Sequence, residues 1–91
     1  MKTNLKIKIN HSSGLHARPA SLFVQTANKF TSAISAQNIT AESAITNAKS
    51  ILSVLTLGVV QGHEIEIIAE GDDAQEAIAA LENLILNNFG E

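Results

Sequence analysis

Alternation dominates the opening of the chain: Leu5, Ile7 and Ile9 are apolar, and Lys6 and Lys8 stand between them. A period of two marks a half-buried strand, here over about residues 3–10, with the lysines toward water. His11-Ser12-Ser13-Gly14 breaks the pattern as a loop. From Ala20 the spacing changes, and Phe23, Ala27 and Phe30 recur at helical intervals with Leu22 and Val24 beside them. The predicted helix runs from about Ala17 to Lys29, where a lysine in the last turn suits the helix dipole.

Residues 33–47 hold two short, partly β-branched segments, Ala33 to Ile39 and Ala44 to Thr46, around a polar joint at Thr40 to Ser43. They read as a hairpin, although no Asn-Gly or Asp-Gly turn supports it. Ile51 to Leu57 pairs its apolar positions at helical spacing, and a buried strand also fits so short a run. Asn47 and Ser50 as candidate caps, with Gly58 as a stop, favour the helix. Ile65 and Ile67 then alternate within His63 to Ala69, a further strand.

Gly71-Asp72-Asp73 turns into the strongest helix, with Asp73 as N-cap and Glu76 completing a capping-box-like pair. Its apolar stripe is Ala74, Ala77, Ile78, Leu81, Leu84 and Ile85, and Phe89-Gly90 closes it. The order βαββαβα fits an α+β arrangement with helices over one face of an antiparallel sheet.

Composition narrows the function classes. The 91 residues carry a net charge of −3 with only six Lys and Arg, which leaves no basic footprint for nucleic acid. Three phenylalanines and no Tyr or Trp leave little to stack on bases. Without cysteines and with scattered histidines, no metal site is expected, and His11 and His63 read as surface residues. Neither a signal peptide nor a membrane span is expected, so the reading is a cytoplasmic protein.

The candidate chemistry lies in Gly14-Leu15-His16-Ala17-Arg18-Pro19-Ala20. Proline is tolerated in the first turn of a helix, where its missing N–H had no partner anyway. His16 therefore falls at or next to the N-cap, where unpaired amides and the dipole attract an anion. An imidazole, a guanidinium and free amides suit a phosphoryl group. A nucleophilic ring must be uncharged, and the positive helix end disfavours the imidazolium. A capping histidine beside a solvated arginine fits the same spacing, and spacing alone leaves both readings open.

The Gly14–Ala20 run resembles the phosphorylation site of HPr, the histidine-containing phosphocarrier family of the sugar phosphotransferase system. Lys49-Ser50-Ile51 followed by Leu55-Thr56-Leu57-Gly58 resembles that family's regulatory serine segment, and Ala69-Glu70-Gly71-Asp72 also matches. The resemblance implies a single HPr-like domain over residues 1–91, folded as an open-faced β-sandwich with a four-stranded antiparallel sheet under three helices. It implies that His16 accepts the phosphoryl group on Nδ1 and that Arg18 pairs with its oxygens, helped by the amides of Ala17 and Arg18. It also implies a monomer without cofactor that takes the group from enzyme I and gives it to enzyme IIA components of sugar permeases.

By the same resemblance, Ser50 is a regulatory phosphorylation site for a serine kinase/phosphorylase, and Ala17, Ser21, Leu22, Gln25, Ile51, Leu52 and Leu55 form the docking face. Of these, Leu52 and Leu55 are expected to be exposed. The chain departs from the family pattern in a longer segment around Thr40, in Ala48 where a larger apolar residue is common, and in Ser53 for a frequent glycine. A different class of function, a purely regulatory binding module that acts as a serine-phosphorylated corepressor docking on a transcription factor or as a metabolic regulator, would not need the nucleophile that His16 retains.

Overall fold

Residues 1–91 are all described by a computed structural model. Its elements run β1 (Lys2–Lys8), α1 (Ala17–Ala27), β2 (Ala33–Asn38), β3 (Thr46–Asn47), α2 (Ile51–Leu55), β4 (Glu64–Glu70) and α3 (Ala74–Leu86). A 3-10 turn at Asn88–Gly90 follows. The strands form one antiparallel sheet in the order β1-β4-β2-β3. The expected open-faced sandwich is what the chain adopts.

Period-two patterning decides which sheet face is covered. Ile65, Ile67 and Ala69 of β4 are buried, and the register sets Leu5 and Ala36 against Ile67, and Ile7 against Ile65. On the other face Lys2 opposes Glu70, Lys6 opposes Glu66 and Lys8 opposes Glu64. Opposite charges directly across a ladder stabilise the pairing modestly and keep this face wet. The lysines are exposed, as the alternation predicts.

Helices cover the apolar face. Helix α3 packs on β1 and β4, and α1 packs against both α3 and α2. Phe23 of α1, Leu81 of α3 and Val54 of α2 meet the sheet residues in one core with Leu15, Val59 and Phe89. No helix is long and apolar enough to cross a membrane.

Several boundaries differ from the sequence reading, each for a local reason. Helix α1 stops at Ala27, so Lys29 lies beyond its last turn. Asn28 caps it instead, its side-chain amide donating to the Val24 carbonyl at 2.9 Å and the Lys49 carbonyl at 3.1 Å. The β2–β3 hairpin forms, but β3 is only two residues long. Buried Asn38 organises the connection, accepting from the Ala41 amide at 3.1 Å and donating to the Leu57 carbonyl at 3.0 Å. The Ser43 hydroxyl receives the Asn38 amide at 2.9 Å. A side-chain knot thus does the work of a tight turn across the longer segment around Thr40.

Ile51–Leu55 is helical, which decides against the strand alternative, and Ser50 rather than Asn47 is its cap. Asn47 accepts from the Lys49 amide in the approach to that cap. Asp73 occupies the N-cap position of α3 but makes no side-chain cap bond, so the expected capping box does not form. Its carboxylate receives the amides and hydroxyls of Thr31 and Ser32 instead. Ala48 is fully buried, so the small residue belongs to the core beneath the helices.

Candidate functional site

His16 is the N-cap of α1, with extended backbone angles and a side chain that makes no capping hydrogen bond. The capping-histidine alternative is therefore ruled out. The residue is only partly buried, which leaves its ring available to an incoming group. Above it, the first helical backbone bond is that of the Ala20 amide to the His16 carbonyl, at 3.3 Å. Pro19 has no amide to offer, so the unpaired donors of the first turn are the N–H groups of Ala17 and Arg18.

Ala17 has φ 51, in the left-handed region that costs a residue with a Cβ about 1–2 kcal/mol. Such strain persists where the flanking structure over-determines it, and it gathers at functional sites. Here the flanks are well anchored. Leu15 is fully buried, and its amide donates to the Val59 carbonyl at 3.0 Å. Pro19 and Ala20 are buried on the other side. The three exposed or half-exposed residues His16, Ala17 and Arg18 are thus held between two buried anchors.

Arg18 is exposed, and one terminal nitrogen of its guanidinium donates to the Phe89 carbonyl and to the Glu91 carboxylate, both at 3.0 Å. Glu91 also meets Nε2 of His11 at 2.8 Å. His11 is buried, which corrects its reading as a surface residue. Its Nδ1 accepts the Ser13 amide at 3.0 Å, and its ring packs edge-on against Phe89 at 5.8 Å. The His11 hydrogen bond foremost, and then Arg18, hold the Glu91 carboxyl below its ordinary range. No sequence signal marks Glu91, because nothing near it in the chain connects it to the loop at His11. His63 is half-buried, with Nδ1 beside the Asn38 side-chain amide at 3.0 Å, so it serves the loop knot.

The remaining residues of interest lie on the helical layer. Leu52 is 74% exposed, Ile51 40% and Leu55 36%, an apolar surface on a helix of five residues. Ala17 and Gln25 of α1 are exposed, Ser21 and Leu22 are half-buried, and the Gln25 side chain donates to the Ser21 hydroxyl at 2.9 Å. The Ser50 hydroxyl accepts from the Ser53 amide at 3.4 Å and is half-buried.

Comparison with known proteins yields a consistent result. Residues 3–87 match the family model described as the PTS HPr component phosphorylation site. The chain is 47% identical over 83 residues to the multiphosphoryl transfer protein of Haemophilus influenzae, covering 91% of this chain. It spans about a fifth of the length of the multiphosphoryl transfer proteins it matches. With the HPr-like protein Crh of Bacillus subtilis it shares 43% identity over 76 residues, covering 84% of this chain and 86% of Crh. The crystal structure of HPr-C-His from Thermoanaerobacter tengcongensis superimposes with a TM-score of 0.92 at 49% identity, covering 98% of this chain and 97% of that one.

Proposed function

The chain belongs to the HPr family of the sugar phosphotransferase system, and we propose that it takes a phosphoryl group from enzyme I on Nδ1 of His16 and passes it to enzyme IIA components of sugar permeases in the cytoplasm. The observation that carries this reading is the pair of unpaired amides, on Ala17 and Arg18, beside a histidine whose side chain caps nothing. In the transfer, the Nδ1 lone pair of the uncharged ring attacks the phosphorus of the donor's phosphoryl group. The bond between phosphorus and the donor breaks, and the donor group leaves with the electron pair. Donation onward is the same exchange with the roles reversed.

The amides and the helix end stabilise charge on the phosphoryl oxygens without having to reorganise. Arg18 adds a guanidinium to the same oxygens. Exposure keeps that stabilisation moderate, which suits a group that must leave again. The apolar surface of Ile51, Leu52 and Leu55, with Ala17, Ser21, Leu22 and Gln25 of α1, offers the carrier's partners a common docking face.

The test is incubation with enzyme I and labelled phosphoenolpyruvate. An acid-labile phosphohistidine should form and be absent from His16→Ala, whereas label retained by that variant would move the acceptor elsewhere. Likeness to Crh supports a second role, in which Ser50 is phosphorylated by a serine kinase and the protein docks on a transcription factor. Incubation with ATP and such a kinase should then modify wild type and spare Ser50→Ala. An unmodified wild type removes the trigger for that role.

A further inference from the structure

A single peptide unit joins the loop that carries His16 to the loop between α2 and β4. The Leu15 amide donates to the Val59 carbonyl at 3.0 Å, and the N–H of that same Val59–Val60 unit donates to Nδ1 of His63 at 3.3 Å. A peptide unit is planar, so holding its N–H also aims its carbonyl. The contact on the carbonyl side is close, because the Val59 oxygen leaves no room for a Cβ on Gly14.

Asn38 settles where the ring proton of His63 lies. It is fully buried, and its Oδ1 accepts the Ala41 amide, which fixes the orientation of the side-chain amide. Nδ2 then has two protons to give, one to the Leu57 carbonyl and one to Nδ1 of His63, each at 3.0 Å. Two donors converge on Nδ1, so that nitrogen is bare and Nε2 carries the proton. The backbone of this loop is tied to the end of β1 as well. The His63 carbonyl accepts the Ile9 amide at 2.9 Å, and the Gly62 amide donates to the Ile9 carbonyl at 2.7 Å.

We propose that Asn38 and His63 are positioning residues for phosphoryl transfer, setting the loop that carries His16 through the Val59–Val60 peptide. The inference rests on the carrier reading and extends it to residues that never touch the phosphoryl group. Leu15 is fully buried and immediately precedes His16, so its amide depends on the Val59 carbonyl for a partner. Without Nδ1, the Val60 N–H and one Asn38 proton lose their acceptor, and the peptide between them is free to turn. Leu15 then loses its anchor, and His16 shifts against the unpaired amides of Ala17 and Arg18. Small displacements of a reacting atom slow such a step strongly.

Transfer from phosphorylated enzyme I is followed by rapid quench over a range of carrier concentrations, which separates the limiting rate from KM. His63→Ala should lower the limiting rate roughly two- to ten-fold, the span of one lost hydrogen bond, and leave KM unchanged. His63→Asn, whose Oδ1 takes the place of Nδ1, should restore most of that rate. Amide hydrogen exchange follows the path itself: in His63→Ala the Leu15 amide should exchange faster, with the amides of β4 as in wild type. Nitrogen NMR of wild type should show the His63 ring proton on Nε2, and a neutral ring protonated on Nδ1 overturns the proposal without any variant. An unchanged limiting rate, a change confined to KM, a failure of His63→Asn to rescue, or a uniform rise in exchange across the chain also overturns it. Each of these leaves the carrier reading standing. Absence of phosphohistidine from wild type overturns both.

Discussion

Ser32 donates twice to one oxygen of Asp73, through its amide at 2.9 Å and through its hydroxyl. Thr31 binds the other oxygen in the same two ways. The turn after α1 is thereby tied to the start of α3, 41 positions away along the chain from Ser32. A carboxylate that would ordinarily serve its own helix has become a clasp between two elements.

The clasp makes stability depend on pH. The Ser32 hydroxyl foremost, followed by the Thr31 amide, brings the Asp73 pKa down from the ordinary 3.8 to about 2. A depressed folded-state pKa means the stabilisation is fully present above the ordinary value and fades as acid takes the pH down through about 2. Asp73→Asn should be less stable than wild type at neutral pH, and the gap should close across that acid window. Urea unfolding at a series of pH values measures this. A gap independent of pH would show that the carboxylate's charge is not what holds the clasp.

Two glycines with almost the same backbone angle should differ sharply. Gly14 and Gly58 have φ of 63 and 62, but a Cβ on Gly14 would lie 2.2 Å from the Val59 carbonyl oxygen, whereas one on Gly58 meets nothing within 4 Å. Gly58→Ala should cost only the left-handed penalty, about 1–2 kcal/mol. Gly14→Ala adds overpacking against backbone, about a further 1–3 kcal/mol. Denaturant midpoints of the two variants test the difference, and equal losses would mean the Leu15–Val59 contact yields freely.

Exposure separates two neighbours on α2. Leu52 is 74% exposed, and Leu52→Asp should change stability by no more than about 0.5 kcal/mol. If the docking proposal holds, it should slow phosphoryl transfer from enzyme I about ten-fold, the loss of one apolar anchor. Val54 is fully buried, and Val54→Asp should cost about 3–5 kcal/mol by burying an unpaired charge. Stopped-flow transfer beside thermal melts distinguishes the two, and unimpaired transfer by Leu52→Asp would remove α2 from the docking face.

Much of this protein was legible from near neighbours along the chain. Period-two runs at Leu5–Ile9 and Ile65–Ile67 placed the strands and their buried face, because alternation ties each side chain to one side of a sheet. Pro19 ahead of the Phe23 and Ala27 stripe marked the start of α1, because a missing amide can be tolerated only in the first turn. His16 and Arg18 followed as candidates from that position alone. Packing decided the rest. Asp73 left its own helix for Ser32, Asn38 took over the work of a turn, and His11 reached Glu91 across 80 positions. No spacing rule announces such contacts, since they arise only when separate elements settle on one core and polar groups must find partners where they land.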